Sequence, residues 1–312
     1  EISIIRSIGY IKFLFLAIFI KLIFEKKLVD FRKISIIWLL TLLCLSFDIF
    51  YQSYFGENIL GYKVSNPLRN SSFFFDELKA AALIVGFGFI CFYDKFYKSK
   101  IILLILSFFL LAALTTGERA NFIRYLLLFS FFIFIFSKRV KVINLKILNI
   151  FLILIIFIFN FFGEKIIERY SRTISFNQNN EKLSLVETYL SSQYGAHAIT
   201  AYNMFKDNIL FGVGNKNFRI ECKKYEEEIS KRFNNRNYLG CGTHPHQTWY
   251  ELISEHGLVG TIIFITFIYA LIKLRLNKKL EIINIMALVY IMNLFIPILP
   301  FGSIFTSYNS TI

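Results

Sequence analysis

Cys241 to Gly260, CGTHPHQTWYELISEHGLVG, gathers His244, His246, His256, Glu251 and Glu255 at the mouth of a long apolar run. Imidazole is the side chain whose proton affinity lies nearest neutral pH, so histidines beside carboxylates suit proton transfer. Thr243 is a good N-cap, and a helix starting there puts Pro245 in the first turn, where its missing N–H costs nothing. His246 then shares that turn. The positive end of the helix dipole disfavours imidazolium there, as befits a group that must accept a proton. His246, Tyr250, Ile253, Gly257 and Gly260 fall on one stripe, whose glycines allow another helix to approach closely. Glu255 lies on the order of 13 Å deeper than His246, where an ionised carboxylate needs a partner. Cys241, His244, His246 and His256 are also the right types for zinc. However, His244 and His246 flank a proline and Cys241 has a better partner in Cys222, so no metal or other cofactor is expected.

Three further stretches carry charge where apolar runs end. TTGERANFIR at 115–124, where the chain turns back within about five residues, carries Glu118, Arg119 and Arg124 at the boundary. Two readings stand: these groups anchor the turn at headgroup level, or Arg119 binds an anionic group through its planar fork of donors, oriented by Glu118. ERYSR at 168–172 offers Arg169 and Arg172, with surface anchoring as the alternative. NPLRNSSFFFDELKAAAL at 66–83 brings Arg69, with Asp76 and Glu77 as an acidic pair that caps the following helix.

The elements that position these groups are membrane helices. A mean hydropathy of +0.56 and 38 phenylalanines among 312 residues lie outside the soluble range. Apolar runs at 8–24, 34–50, 78–93, 101–116, 122–137, 147–163, 249–272 and 282–300 predict at least eight spans. The links 25–33, 94–100, 138–146 and 273–281 hold 4, 3, 4 and 4 Lys plus Arg. They alternate, and the positive-inside rule assigns all four to the cytoplasm, which turns the histidine stretch outward. The net charge of +14 therefore reflects topology, and no nucleic-acid partner is expected. The chain starts at Glu1 without a Met, so further N-terminal spans are expected to precede it.

The expected class is all-α: a polytopic transmembrane helix bundle with a large helical outer loop. The parts are N-terminal helices at 1–163, a loop domain at 164–248 and C-terminal helices at 249–312. Periodicity predicts loop helices over 184–207 and 221–236, separated by NILFGVGNKNFR, whose GxG reads as a tight turn. His197, on the first of these, is expected to be solvated or to line an acceptor groove. Cys44 and Cys91 lie in apolar runs and read as small buried hydrophobes. Cys222 and Cys241 lie in the outer segment and are the disulfide candidates, closing a loop of roughly 20 residues.

Taken in order, these motifs resemble those of the O-antigen ligase and O-antigen polymerase superfamily. The likeness rests on the Arg69 segment with its Asp-Glu pair, the GERAN turn, the arginines opening the large loop, the His-Pro-His block followed by glycines, and the closing PFGSIFTSYNST. Gln247 stands where the family has asparagine, Ile209 where proline is usual, and Thr116 departs from the family before Gly117. The resemblance implies a bacterial inner-membrane glycosyltransferase with its active site on the periplasmic face. Its donor would be an undecaprenyl-diphosphate-linked glycan, its acceptor a glycan or lipid A core sugar hydroxyl, and it would need neither metal nor nucleotide sugar. His246 would be the base, and Arg119 and Arg172, or Arg169 in place of the latter, would hold the pyrophosphate. Arg69, Glu118, His244 and Glu255 would support them. The competing class is a transporter or flippase of lipid-linked or anionic substrates. Against it stand the lack of a repeat between halves and the concentration of candidate residues on one face.

Overall fold

The computed structural model describes residues 11–64, 66–75, 77–89, 99–139, 156, 160–171, 189–190, 192–232, 240–276, 282–297 and 299–303. Arg172, Asp76 and Cys91 lie outside the described residues, as does most of the expected span at 147–163. The main helices are α1 (Ile11–Glu25), α2 (Phe31–Phe55), α3 (Ala80–Phe87), α4 (Ser99–Thr115), α5 (Arg119–Arg139), α6 (Gln193–Asp207), α7 (Phe218–Glu221), α8 (Glu226–Arg232), α9 (Thr248–Leu276) and α10 (Ile282–Leu294). Among the described residues there is no strand, only two isolated bridges, so the chain is all-α. Among the described residues, two helices are long and apolar enough to cross a bilayer, Phe31–Phe55 and Thr248–Lys273. The chain divides into two compact units.

One unit spans Asp30–Gln178 with Glu281–Asn293. Its core is apolar contact between α2, α4 and α5, built on Leu42, Ile49, Leu106, Phe109 and Leu128, each fully buried. Such packing carries most of a helix's stability in a protein. Polar residues tie the helix ends. Asn70 donates from its backbone N–H to the Thr116 carbonyl (3.1 Å) and from Nδ2 to the Thr115 carbonyl (2.7 Å), satisfying acceptors left over at the end of α4. The turn then needs Gly117, at φ +70°, because a Cβ there would lie 2.3 Å from the Leu68 carbonyl oxygen. Asp76 and Glu77 were expected to cap the third apolar run. Instead, α3 starts at Ala80, Glu77 pairs with Lys79, and the carboxylate that accepts from the Ala81 N–H (3.1 Å) is Glu118. Cys44 also differs from expectation: it is exposed on the outside of α2, a helix with apolar residues on more than one face.

The other unit spans Glu1–Val29, Asn179–Leu280 and Leu294–Ile312. Here α6 packs along α9. α6 opens at Ser192, whose extended backbone (φ −86°, ψ 167°) turns its hydroxyl onto the Gly195 N–H at 3.2 Å. The second expected loop helix, 221–236, falls on α7, a 3-10 turn at Cys222–Tyr225, and α8, with 233–236 outside the described residues. Cys222 and Cys241 are joined by a disulfide across 19 residues, with Cα atoms 5.0 Å apart. The bond ties this second helical run to the stretch leading into the histidines.

α9 departs from expectation twice. It begins at Thr248, not Thr243, because Gln247 serves as its cap: the Gln247 carbonyl accepts from the Glu251 N–H (3.0 Å) and its Oε1 from the Tyr250 N–H (2.9 Å). His246 therefore precedes the helix rather than lying on its first turn. Further in, Gly257 (φ 61°, ψ −164°) breaks the helix, so the stripe drawn through His246, Gly257 and Gly260 does not exist. What Gly257 admits is backbone. Loop 208–219 enters the break: Val213 and Gly214 N–H donate to the Ser254 and Glu255 carbonyls (2.9 and 2.8 Å), while Leu258 and Val259 N–H donate to the Ile209 and Leu210 carbonyls (2.9 and 3.1 Å). The glycine-containing loop thus satisfies four backbone groups on the two sides of the break.

Candidate functional site

Three imidazoles meet where α6 passes the start of α9. The His246 ring centroid is 4.1 Å from that of His244 and 5.2 Å from that of His197. His197, expected to be solvated or in a groove, is 1% exposed. Its Nδ1 faces the Gly240 carbonyl (3.3 Å), which only accepts, so the proton sits on Nδ1 and Nε2 presents a lone pair. That Nε2 is buried with no hydrogen-bond partner among the described residues. Nothing in the local sequence YGAH marked it, because its neighbours arrive from the far end of the loop.

His246 occupies a left-handed conformation (φ 54°), which costs a non-glycine residue about 1–3 kcal/mol and must be held in place by its surroundings. The Phe301 N–H grips its carbonyl at 2.8 Å and the Gln247 cap fixes the next residue. Burial lowers the pKa of His246. Burial also pushes His244 down to about 3 and His197 to about 4, with the neighbouring His246 adding to both. All three are therefore neutral at pH 7, the form that accepts a proton. A stability prediction follows from the sign. Both values lie below the roughly 6.5 of a free imidazole, so between those limits these two groups bind more protons in the unfolded chain than in the folded one. The histidines' contribution is full above pH 6.5 and falls as the pH drops toward 4, by up to about 1.4 kcal/mol per pH unit for each histidine. Buried carboxyls with raised pKa, such as Glu118, act in the opposite sense over the same range, so the histidine contribution is read as a difference between variants. Thermal unfolding of the parent and of His197→Gln measures it: the parent should lose more stability than the variant between pH 6.5 and 4, and parallel profiles would contradict a buried neutral His197.

Behind the histidines lies a buried ionic group missed in the sequence. Lys216 Nζ is 3.4 Å from Glu251 Oε1 and also donates to Ser303 Oγ, whose hydroxyl donates to the same carboxylate oxygen. All three residues are buried. Glu255, expected to need a partner, accepts from the backbone N–H groups of Lys216 (2.7 Å) and Phe218 (3.0 Å). It holds the loop rather than facing the imidazoles.

The other unit holds the cationic candidates. Ser53, Asn70, Gly117, Lys165, Arg169 and Tyr170 are among those lining a cleft of about 260 Å³, its open mouth included. Arg169 reaches the GERAN turn, donating from Nε to the Gly117 carbonyl at 3.1 Å. Arg119 and Arg169 both lie within electrostatic reach of the Tyr170 phenol. Arg69 acts on Glu118, whose carboxyl burial raises to about 7 against the opposing pull of Asn121, the Ala81 N–H and Arg69. The structure thus brings Arg69, Glu118, Arg119 and Arg169 to one end of this unit, with Lys165 as a cation the sequence reading passed over. Arg124 turns inward instead: it donates to the Asn293 carbonyl (3.2 Å), and Asn293 Nδ2 donates back to the Arg124 carbonyl (2.8 Å). Among the described residues no three His, Cys, Asp or Glu side chains are grouped to hold a metal ion.

The O-antigen ligase family, Wzy_C, matches residues 101–265, more than half of the chain. The chain belongs to that family. The match runs from α4 through the broken part of α9, and so includes the GERAN turn, Arg169, the disulfide and all three clustered imidazoles. Neither a curated protein nor a solved structure matches the chain. Its place in an O-antigen ligase family supports a ligase- or polymerase-like glycosyltransferase role in lipopolysaccharide assembly, and the two long apolar helices fit a membrane-embedded enzyme.

Proposed function

We propose that the chain transfers a glycan from an undecaprenyl-diphosphate-linked donor to a sugar hydroxyl of a glycan or lipid A core acceptor, without a metal, at the periplasmic face of the bacterial inner membrane. The observation that carries this reading is the His246 imidazole, held by its backbone against His244 and His197 at the head of a long apolar helix. His246 takes the proton of the acceptor hydroxyl as its oxygen attacks the anomeric carbon of the donor. The bond from that carbon to the diphosphate oxygen breaks, and the diphosphate leaves with the electron pair. Arg119 and Arg169 or Arg172 offset its developing charge, which fixed, desolvated cations do well. In this reading the chain crosses the bilayer at least eight times, and residues 164–248 form the periplasmic domain between helices at 1–163 and 249–312. The alternating basic links support that topology.

The test is the purified chain in proteoliposomes with an undecaprenyl-diphosphate-linked glycan and a chelator. Longer lipid-linked glycans indicate a polymerase, glycan moved to lipid A core a ligase, and donor merely carried across the bilayer would sink the enzymatic reading in favour of a flippase. Arg119→Lys keeps the charge and loses the fork, so donor KM should rise about tenfold, in line with 1.5–3 kcal/mol for a charged hydrogen bond. Unchanged donor kinetics would remove Arg119 from the pyrophosphate site.

A further inference from the structure

The break in α9 bears on where the bilayer begins. At about 1.5 Å per residue, α9 measures on the order of 43 Å against a hydrocarbon core of about 30 Å. Gly257 divides it unequally. The outer part, 248–256, carries Thr248, Glu251, Ser254 and Glu255, all buried polar groups. The inner part runs about 16 residues from Gly257 to the basic link that opens at Lys273, on the order of 24 Å and close to the lower limit for a span, with Lys273 and Arg275 long enough to reach the headgroups. It presents Leu258, Val259, Ile262, Ile263, Ile265 and Phe267 on its outer surface.

Loop 208–219 lays Ile209, Leu210 and Phe211 beside the first of these residues, exposed by 47%, 60% and 71%. Three consecutive large apolar side chains at a loop tip are costly in water. Their backbone, by contrast, suits lipid. The Ile209 and Leu210 carbonyls are bonded to the Leu258 and Val259 N–H groups, and irregular backbone at membrane depth is tolerated only when such groups are satisfied by protein. Glycine is required at the crossing, since a Cβ on Gly257 would lie 2.5 Å from the Leu210 carbonyl.

We propose that Ile209–Leu210–Phe211 is a lip inserted into the outer leaflet, continuous with the apolar face of α9, and that hydrocarbon begins at Gly257 rather than at Trp249. The proposal rests on α9 crossing the membrane and is independent of the transfer chemistry. Its occupant is bilayer acyl chain. The lip fixes the depth of loop 208–219, and with it Lys216 and the Glu251 and Glu255 carboxylates, which then stay outside the hydrocarbon.

The experiment uses the full chain carrying Phe211→Trp in phosphatidylcholine vesicles whose acyl chains are brominated either near the glycerol or at mid-chain. Emission is read as the increment over the parent's Trp38 and Trp249. Loss of the greater part of that increment with shallow bromine, less with mid-chain bromine and little with aqueous iodide, is the expected result. Ile263→Trp, farther along α9, is the reference and should be quenched more by mid-chain bromine. If Ile263→Trp is quenched while Phe211→Trp responds to iodide or to neither quencher, the lip is overturned and the span stands. If Ile263→Trp is not quenched either, the membrane placement of α9 fails and the lip with it. Recovery of Phe211→Trp emission on adding undecaprenyl phosphate would assign the surface to the polyprenyl chain and overturn the bilayer assignment.

Discussion

Exchanging His246 for alanine is expected to slow glycan transfer by about 10²- to 10⁴-fold, the usual worth of a positioned general base. The variant should fold, because the ring's contacts are with other imidazoles and Tyr194, while the backbone is held by the Phe301 N–H and the Gln247 cap, which alanine leaves in place. Donor KM should stay close to that of the parent, since the cationic residues are untouched. The pH profile gives a second readout. Transfer needs the neutral ring, and burial lowers the His246 pKa, so the acid limb of the parent should lie below the ordinary imidazole value. Transfer at the parental rate in His246→Ala would remove the proposed base. Loss of transfer with an acid limb at the ordinary value would mean that the ring is more solvated than the structure has it.

How much of this could be read in the chain depended on whether cause and effect lie close together in sequence. The apolar runs at 34–50, 101–116 and 122–137 fall within α2, α4 and α5 to within a few residues, because a membrane helix is specified by its own hydropathy. His244 and His246 could be paired because only Pro245 separates them. His197 could not, since what buries it is the meeting of α6 with the residues before α9. The start of α9 was misplaced for a subtler reason: threonine is the better cap on average, yet the glutamine side chain here reaches the Tyr250 N–H and begins the helix five residues later. The GxG stretch was read as no more than a tight turn, because its hydrogen-bonding partners are the backbone groups of a helix broken at Gly257. Lys216, Glu251 and Ser303 are each unremarkable in sequence and acquire meaning only as a group.

Replacing Lys216 with methionine is expected to destabilise the chain by about 3–5 kcal/mol, the cost of stripping one partner from a buried ion pair. Lys216 is 7% and Glu251 1% exposed, so the carboxylate that loses its ammonium is not rescued by solvent. Removing the charge as well should restore most of the loss. The double variant Lys216→Met with Glu251→Gln should fall within about 2 kcal/mol of the parent, because a neutral amide can keep accepting from Ser303 without a buried charge. The consequence reaches the base through the chain. Ser303 is tied to Glu251 two residues after Phe301, whose N–H holds the His246 carbonyl in its left-handed backbone. Loosening 301–303 frees His246 from that conformation, so the single variant should also transfer glycan more slowly, with kcat falling more than donor KM rises. Unfolding midpoints in nanodiscs for both variants, read beside transfer rates, decide the matter. Equal stability for parent and Lys216→Met would show that the pair is solvated. A double variant no better than the single one would show that Lys216 holds the loop through packing of its stem rather than through charge.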